Sequence, residues 1–224
     1  SMPFRTLAEL YLEDKKAHTK LITYETKKNR IDKWLLPFFS DKPVDAITAA
    51  DIRKWQAELK AAKNANDAPL SPGYMQNLVT ELSSIFNFAV RIYGLTVNPC
   101  RIAGNAVGKK QKSLTFWTKE EFDRFIDTFD RQDPYYIAFL VLYYCGLRIG
   151  ELEALTVGDI DQMAGTLTIS KTYHLINGKG ITTPPKTEKA NRTITLPPFL
   201  LDCIKRHIAP VSYTHLTLPT NSRV

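Results

Sequence analysis

The amino-acid sequence predicts a mainly helical protein with a small β-sheet near its C-terminal end. Apolar residues recur at helical spacing through most of the stretch 5–155, which indicates amphipathic helices. From Thr166 onward, Thr, Ile and Leu instead alternate around a glycine-containing turn, which is typical of a β-hairpin followed by a third strand. The chain has 224 residues, 44% of them hydrophobic, and this is enough for one large or two small domains. We therefore expect a helical domain followed by an α+β domain.

Four helices are expected in the first domain. Two of them cover residues 5–17 and 23–38, and Pro37 and the FFSDKP turn are expected to end the second. The third opens at Thr48, which forms a capping-box pattern with Asp51. The fourth opens at Ser71, where serine is a good N-cap and Pro72 suits the first helical position, and it ends at Gly94.

The second domain is expected to begin with a helix that opens at Thr118, since Glu121 completes a capping box. Residues 134–145 are apolar nearly all round, which predicts a buried helix. Gly146 then separates this helix from a shorter one, the β-strands follow, and a final helix covers residues 198–208.

The net charge of +7 lies entirely in the first half of the chain. Residues 1–112 carry 18 Lys and Arg against 11 Asp and Glu, whereas residues 113–224 carry 12 of each kind. A basic domain joined to a neutral one favours a polyanion such as nucleic acid as a partner. The sequence lacks a membrane-spanning stretch and a secretory signal, and Cys100, Cys145 and Cys203 are too widely spaced for a disulfide framework or a metal knuckle. We therefore expect a cytoplasmic protein with no membrane partner and no metal.

One segment carries a pattern that suits phosphate chemistry, namely CGLRIGELEAL at positions 145–155. Arg148 follows an apolar helix and a glycine break, and Glu151 lies three residues later, so the two side chains share a helix face and can pair. A guanidinium is permanently charged and binds in a bidentate manner, which suits a phosphate clamp. On spacing alone, a structural Arg–Glu pair at the surface is the alternative.

The wider pattern resembles the tyrosine recombinase family, also called phage integrases. It consists of GLRIGELEALTVGDID, a hairpin, and then PPKTEKANRTITLPPFL. The basic four-helix stretch ahead of it resembles the SAM-like core-binding domain with which this family clamps double-stranded DNA. The resemblance implies a core-binding domain at 1–94, a basic linker at 95–113 and the N-terminal part of an α+β catalytic domain at 114–210. It also implies a site-specific DNA integrase or recombinase that self-associates on DNA as a tetramer and uses no cofactor.

The resemblance implies roles for three residues. Arg148 matches the family's first catalytic arginine, which binds the scissile phosphate, and Glu151 matches a position that supports the active site. Lys186, in the sequence PKT, matches the hairpin lysine that protonates the leaving 5′-oxygen. The other lysines near the hairpin are Lys171, Lys179 and Lys189. In this family a tyrosine attacks the DNA phosphate and forms a 3′-phosphotyrosyl bond.

Lysines of the basic half are the expected contacts to the DNA backbone, because each neutralised phosphate releases counterions. The expected DNA-binding residues are Lys15, Lys16, Lys20, Lys27, Lys28, Lys109, Lys110 and Lys112. A solvated surface loop is the alternative for the last three of them.

Three groups on which the family's chemistry depends do not occur in the sequence: the His-x-x-Arg box, a later His or Trp, and the nucleophilic tyrosine. Instead, residues 211–220, VSYTHLTLPT, resemble the translation of a transposon-end adapter used in sequencing libraries. We therefore expect residues 211–224 to be a non-native tail, in which Tyr213 and His215 are not catalytic, and the chain to be an inactive N-terminal fragment. A natural β-rich tail is the alternative.

Two other functions stay open at this point. One is a DNA-binding regulatory module without catalysis, in which Arg148 is structural. The other is a helical scaffold protein with no nucleic-acid role.

Overall fold

The computed structural model describes residues 2–108, 116–176, 178–185 and 190–208. The chain divides into two compact units, Ser1–Ser113 and Leu114–Val224, which we call the first and second unit. Each unit has its own hydrophobic core.

The first unit is helical. Its elements are α1 (Phe4–His18), α2 (Leu21–Arg30), α3 (Leu36–Phe39), α4 (Ala49–Ala61), α5 (Pro72–Tyr93) and α6 (Pro99–Ala103). The predicted N-caps are confirmed, because the Thr48 hydroxyl accepts from the Asp51 backbone N–H and the Ser71 hydroxyl accepts from the Tyr74 backbone N–H. Gly94 ends α5 in the left-handed conformation, with φ of 71°, which glycine adopts without a Cβ clash.

Aromatic side chains fill the centre of the first core. Phe4, Phe39, Trp55 and Phe86 are almost fully buried, and the ring of Phe39 lies 5.4 Å from that of Phe4 and 5.6 Å from that of Trp55. The indole N–H of Trp55 donates to the Trp34 carbonyl at 2.9 Å, so that the ring is buried without an unsatisfied donor. The periodic apolar positions of the sequence therefore meet in one core.

The second predicted helix ends at Phe39, in the FFSDKP turn as expected, but Pro37 does not end it. The chain continues from α2 through a π-helical turn, Ile31–Leu35, into α3, and Pro37 lies in the first turn of α3. In the π-helical turn the backbone N–H of Leu36 donates to the carbonyl of Ile31, five residues earlier. This wider turn replaces the regular pattern directly ahead of the proline ring, which would otherwise clash with the preceding turn.

Residues 95–108 were expected to belong to the linker, but they pack on the first unit. They contain α6, and the side chains of Cys100 and Val107 are buried in the first core. They are held there by hydrogen bonds to a polar side chain that lies far away in the sequence. The fully buried amide of Gln56 donates to the Gly104 carbonyl and accepts from the Ala106 backbone N–H, both at 2.9 Å.

A buried carboxylate joins three helices of the first unit. Glu81, on α5, is 4% exposed and accepts from the Tyr11 hydroxyl at 3.0 Å and from the Lys27 ammonium at 2.8 Å. Arg30 lies 3.9 Å from its second oxygen. Burial and the negative charge of Glu81 both raise the pKa of Tyr11, so the phenol stays protonated and acts as a donor.

In its described part, the second unit combines helices with five short strands. Its described elements are α7 (Lys119–Ile126), α8 (Pro134–Cys145), α9 (Ile149–Glu153), β1 (Ile160–Asp161), β2 (Thr166–Ile169), β3 (Thr172–Ile176), β4 (Lys179–Thr183), β5 (Arg192–Thr195) and α10 (Pro198–Ile208). The predicted capping box of Thr118 and Glu121 is present. The helix α8 is less enclosed than predicted, since Tyr135 and Tyr143 are exposed.

The strands form two separate sheets, where the sequence predicts a hairpin followed by a third strand. Strands β1, β2 and β5 form an antiparallel sheet with β2 in the centre, and β3 and β4 form an antiparallel hairpin. The first predicted strand is broken at Ser170 and Lys171, so β2 pairs with β5 while β3 turns back onto β4. The expected fold class is nevertheless confirmed: the protein is mainly helical with small antiparallel sheets.

The second core lies between the three-stranded sheet and the helices α8 and α10. Leu167 and Ile169 point from β2 into this core, where they are buried with Val141 and Leu200. Among the described residues, no helix has both the length and the apolar character needed to cross a membrane.

The buried Glu81 network generates a prediction about stability. Replacing Lys27 by Met keeps the aliphatic stem but removes the ammonium group in direct contact with Glu81. The buried carboxylate is then left with Arg30, at 3.9 Å, as its cationic neighbour. We expect Lys27→Met to lower the free energy of unfolding by about 2 kcal/mol, measured by urea denaturation. Lys28→Met is the matched control, because Lys28 pairs with Asp32 at the surface, and its effect should stay within about 0.5 kcal/mol.

A second variant separates lost charge pairing from lost packing. In Lys27→Met/Glu81→Gln the buried group is neutral and still accepts from Tyr11, so most of the lost stability should return. If the Lys27 and Lys28 variants are equally stable, the network does not hold these helices together.

Candidate phosphate-binding site

The site begins where α8 ends. Gly146 adopts the left-handed conformation, with φ of 60°, and closes α8. The chain then places the buried side chain of Leu147 in the core and starts α9 directly after Arg148. Arg148 is thus the N-cap residue of a short helix, and its side chain is 77% exposed. The glycine break predicted from the sequence is what directs this arginine out of the core.

Glu151 is the buried partner of Arg148. Its carboxylate is 4% exposed, and its Oε1 atom accepts from Arg148 Nη1 at 2.8 Å. Its Oε2 atom accepts from the backbone N–H of Arg148 at 3.1 Å, which satisfies one of the free donors at the start of α9. The pairing that the spacing of these two residues allows is therefore present, and Glu151 fixes both the backbone and the side chain of Arg148.

Sequence reasoning missed a third member of the site, Arg192. Its Nη2 donates to Glu151 Oε2 at 2.8 Å and its Nη1 lies 3.3 Å from Oε1. Hydrogen bonds from Arg192 are the largest cause that lowers the pKa of Glu151 to about 2, and those from Arg148 add to it. Glu151 is therefore ionised across the physiological pH range.

A signal for Arg192 was present in the sequence. Strand alternation places Arg192 on the same face of β5 as Ile194, which packs against the second core, while Thr193 and Thr195 are exposed. A charge on the inward face of a strand needs a partner of opposite charge. Glu151 is that partner.

Gly150 allows the site to approach the hairpin. A Cβ atom on Gly150 would lie 2.7 Å from the Tyr173 carbonyl oxygen and 2.9 Å from the Thr172 methyl group. Both neighbours belong to β3, so α9 and the hairpin touch here through backbone. The second glycine of GLRIGEL is thereby explained, since any larger residue would push the hairpin away from Arg148.

Lys186, the expected general acid, lies outside the described residues, between the end of β4 and the start of β5 along the chain. Its competitor Lys171 is placed: it contacts Asp159 Oδ2 at 2.8 Å and donates to the Thr156 hydroxyl at 3.2 Å. This pairing ties Lys171 to the turn that follows α9. The role of Lys186 stays a prediction.

The expected DNA-binding lysines that the structure describes are either paired with an acidic residue or free of such a pair. Lys27 is 20% exposed and bound to Glu81, while Lys15 contacts Asp14 at 2.7 Å and Lys28 contacts Asp32 at 3.0 Å. Lys16 and Lys20 are exposed and, within the part of the chain that the structure describes, form no ion pair. Lys109, Lys110 and Lys112 lie outside the described residues.

The close approach at Gly150 generates a prediction. In Gly150→Ala the new methyl group meets backbone, which cannot rotate away, so we expect a loss of about 2 kcal/mol in the free energy of unfolding. Gly158→Ala is the matched control, because a Cβ there meets nothing closer than 3.9 Å, and its effect should stay within about 0.5 kcal/mol. Urea denaturation measures both, and equal stability of the two variants would show that α9 and β3 can separate freely.

Comparison with known proteins shows which proteins share these features. The sequence profile of the phage integrase N-terminal SAM-like domain matches residues 3–60, within the first unit. The ICEBs1 integrase of Bacillus subtilis (strain 168) is 29% identical over 207 residues, which cover 92% of this chain and 54% of that protein. The chain thus spans about half the length of the curated relatives it matches.

Solved structures share the fold. The Tn1549 transposon integrase in complex with a circular intermediate DNA superimposes with a TM-score of 0.74 at 21% identity, over 95% of this chain and 66% of that one. A lambda integrase tetramer bound to a Holliday junction superimposes with a TM-score of 0.69 at 16% identity, over 98% of this chain and 60% of that one. The SAM-like helical unit, the GLRIGEL site and these relatives make the chain similar to the tyrosine recombinases, or phage integrases.

Proposed function

We propose that the chain is the DNA-binding and phosphate-binding part of a site-specific DNA recombinase that integrates or excises mobile DNA in the cytoplasm of a bacterium. The observation that carries this is the outward-pointing guanidinium of Arg148, which a buried carboxylate fixes in the GLRIGEL segment of an integrase fold. A group that is charged, exposed and held in place suits a phosphate in the backbone of duplex DNA.

In the intact parent protein, Arg148 binds a non-bridging oxygen of the scissile phosphate and neutralises the charge that develops there. Lys186 donates a proton to the 5′-oxygen as it leaves. The nucleophile is a tyrosine that this sequence does not supply, and its attack leaves a 3′-phosphotyrosyl bond and a free 5′-hydroxyl. The energy of the phosphodiester bond stays in the protein–DNA link, so rejoining needs no external energy source.

The first unit supplies most of the DNA binding in this proposal. It carries the whole net charge of +7 within residues 1–112, and Lys16 and Lys20 present exposed cations on and directly after α1. The integrase relatives whose structures contain DNA support duplex DNA as the partner. The lambda integrase tetramer on a Holliday junction supports self-association of the parent protein on DNA.

We propose that this chain is catalytically inactive. Phosphoryl transfer needs several positioned groups that act as a unit, and removing one member of such a unit abolishes most of the activity. The sequence lacks the His-x-x-Arg box of the family, and its residues 211–220 resemble an adapter translation. Tyr213 and His215, which lie outside the described residues, are therefore not assigned a role.

The proposal predicts that the affinity for duplex DNA falls with salt and that the unpaired Lys16 and Lys20 contribute to this dependence. In Lys16→Gln/Lys20→Gln two phosphate contacts are lost, so the slope of log Kobs against log [salt] should become shallower by about 2. Lys63→Gln/Lys119→Gln is the matched control, because it removes the same charge from lysines that already pair with Asp67 and Asp123.

Fluorescence anisotropy of a labelled duplex over a salt series measures both slopes. An unchanged slope in the first variant would show that these two lysines do not contact phosphates. An equal change in the control would show that net charge alone governs binding.

The proposal also predicts that this chain forms no covalent DNA adduct. Nicked duplexes of randomised sequence, from which a cleaved fragment diffuses away, trap any phosphotyrosyl intermediate as a shifted band on a denaturing gel. We expect no such band. A protease-sensitive band that disappears in Tyr213→Phe would overturn both the inactivity and the adapter interpretation.

The positive control is a longer protein in which the residues encoded next in the source DNA replace residues 211–224. This protein should form the adduct, and Arg148→Ala should abolish it while duplex binding largely persists. Arg148→Lys should restore little, because a point charge cannot reproduce a bidentate fork. If the Arg148→Ala protein still cleaves DNA, Arg148 is not required for catalysis.

A further inference from the structure

Arg148 and Arg192 share one carboxylate. Arg192 approaches Glu151 with two nitrogens, at 2.8 Å from Oε2 and 3.3 Å from Oε1. Arg148 reaches Glu151 with the single side-chain nitrogen Nη1, at 2.8 Å from Oε1. Arg192 thus contacts Glu151 with two side-chain nitrogens and Arg148 with only one.

This division leaves part of Arg148 free. Because Oε2 is occupied by Arg192 and by the backbone N–H of Arg148, the Arg148 side chain cannot form a two-nitrogen pair with Glu151. Its Nε and Nη2 groups form no hydrogen bond to the described residues. With 77% of its side chain exposed, against 30% for Arg192, Arg148 presents these donors to solvent.

The charges divide in the same way. Two guanidinium groups and one carboxylate leave a surplus of one positive charge, and Glu151 is paired more completely with Arg192, which is less exposed than Arg148 and contacts both carboxylate oxygens. Without Arg192, Arg148 and Glu151 would form a neutral pair, and Arg148 could turn to cover both carboxylate oxygens. Either change would reduce the attraction of the site for an anion.

We infer that Arg192 is a positioning residue that neutralises Glu151, so that the charge and the free donors of Arg148 are available to a DNA phosphate. The inference rests on the proposed role of Arg148 as the phosphate-binding group. It differs from a purely structural role, in which Arg192 only fastens β5 to α9. A structural role predicts that removing Glu151 as well as Arg192 weakens the site further, whereas the charge argument predicts recovery.

The test uses the full chain and inorganic phosphate as the probe. Titration is followed at the Nε–Hε resonance of Arg148 by ¹⁵N NMR, with the resonance assigned by its loss in Arg148→Lys. Arg192→Gln should weaken phosphate binding at Arg148 by about fivefold, as expected for one lost charge near the ligand. Arg192→Lys retains the charge and should stay within about twofold of the parent.

The decisive variant is Arg192→Gln/Glu151→Gln. It restores the surplus of one positive charge and contains no unpaired buried carboxylate, so it should fold and bind phosphate clearly more tightly than Arg192→Gln, although the loss of the Glu151 carboxylate leaves Arg148 less firmly held than in the parent. Arg206→Gln is the matched control: it removes an exposed arginine of the same unit, on α10, which does not contact Glu151. Its phosphate affinity should not change.

The outcomes separate the two proposals. If the Arg148 resonance of the parent chain does not respond to phosphate, the proposed role of Arg148 fails, and the inference fails with it. If that resonance responds but Arg192→Gln binds phosphate as the parent does, only the inference is overturned. Failure of the double variant to recover affinity, with its thermal unfolding unchanged, would overturn it equally.

Discussion

The buried carboxylate of Glu151, shared by two arginines, is the interaction on which the site depends. Its geometry requires α9 to start at Arg148, which in turn requires the left-handed Gly146 at the end of α8. It also requires β5 to lie beside β2 in the register that pairs Arg192 with Ile169. A buried carboxylate without partners would be costly, so these backbone features and the two arginines stabilise one another.

Local signals in the sequence predicted local structure well. Capping boxes and glycine helix ends depend on residues within a few positions of one another, and those of Thr48, Thr118 and Gly94 are present as expected. Arg192 lies 41 residues from Glu151, and the packing of α6 depends on Gln56, which lies 48 residues from Gly104. Such pairings are set by the tertiary fold. Within the site, sequence could therefore indicate Arg148 and Glu151, whose contact is local, but not the second arginine.

Among the residues that the structure describes, each unit contains one buried glutamate with two cationic neighbours, but the two arrangements have different consequences. Around Glu81, Lys27 is largely covered and binds both carboxylate oxygens, and Tyr11 donates as well. That network points inward and holds α1, α2 and α5 together. Around Glu151, the carboxylate is equally buried, yet Arg148 is exposed and only partly engaged. The first arrangement serves stability, and the second combines stability with a cation presented to solvent.

The net charge of each half of the chain therefore differs from the number of cationic side chains in it that have no acidic partner. The first unit contains the whole excess of seven positive charges within residues 1–112, but Lys15, Lys27 and Lys28 already have acidic partners. Residues 113–224 are neutral in total, yet Arg148, Arg192 and Glu151 concentrate a positive surplus at one exposed guanidinium. An anion responds to the cations that remain unpaired near its binding position, because nearby opposite charges cancel much of the field of a paired one. Under the proposed function, the neutral half of the chain can therefore carry the phosphate-binding group, while fewer lysines of the basic half are free to contact the DNA backbone than its composition suggests.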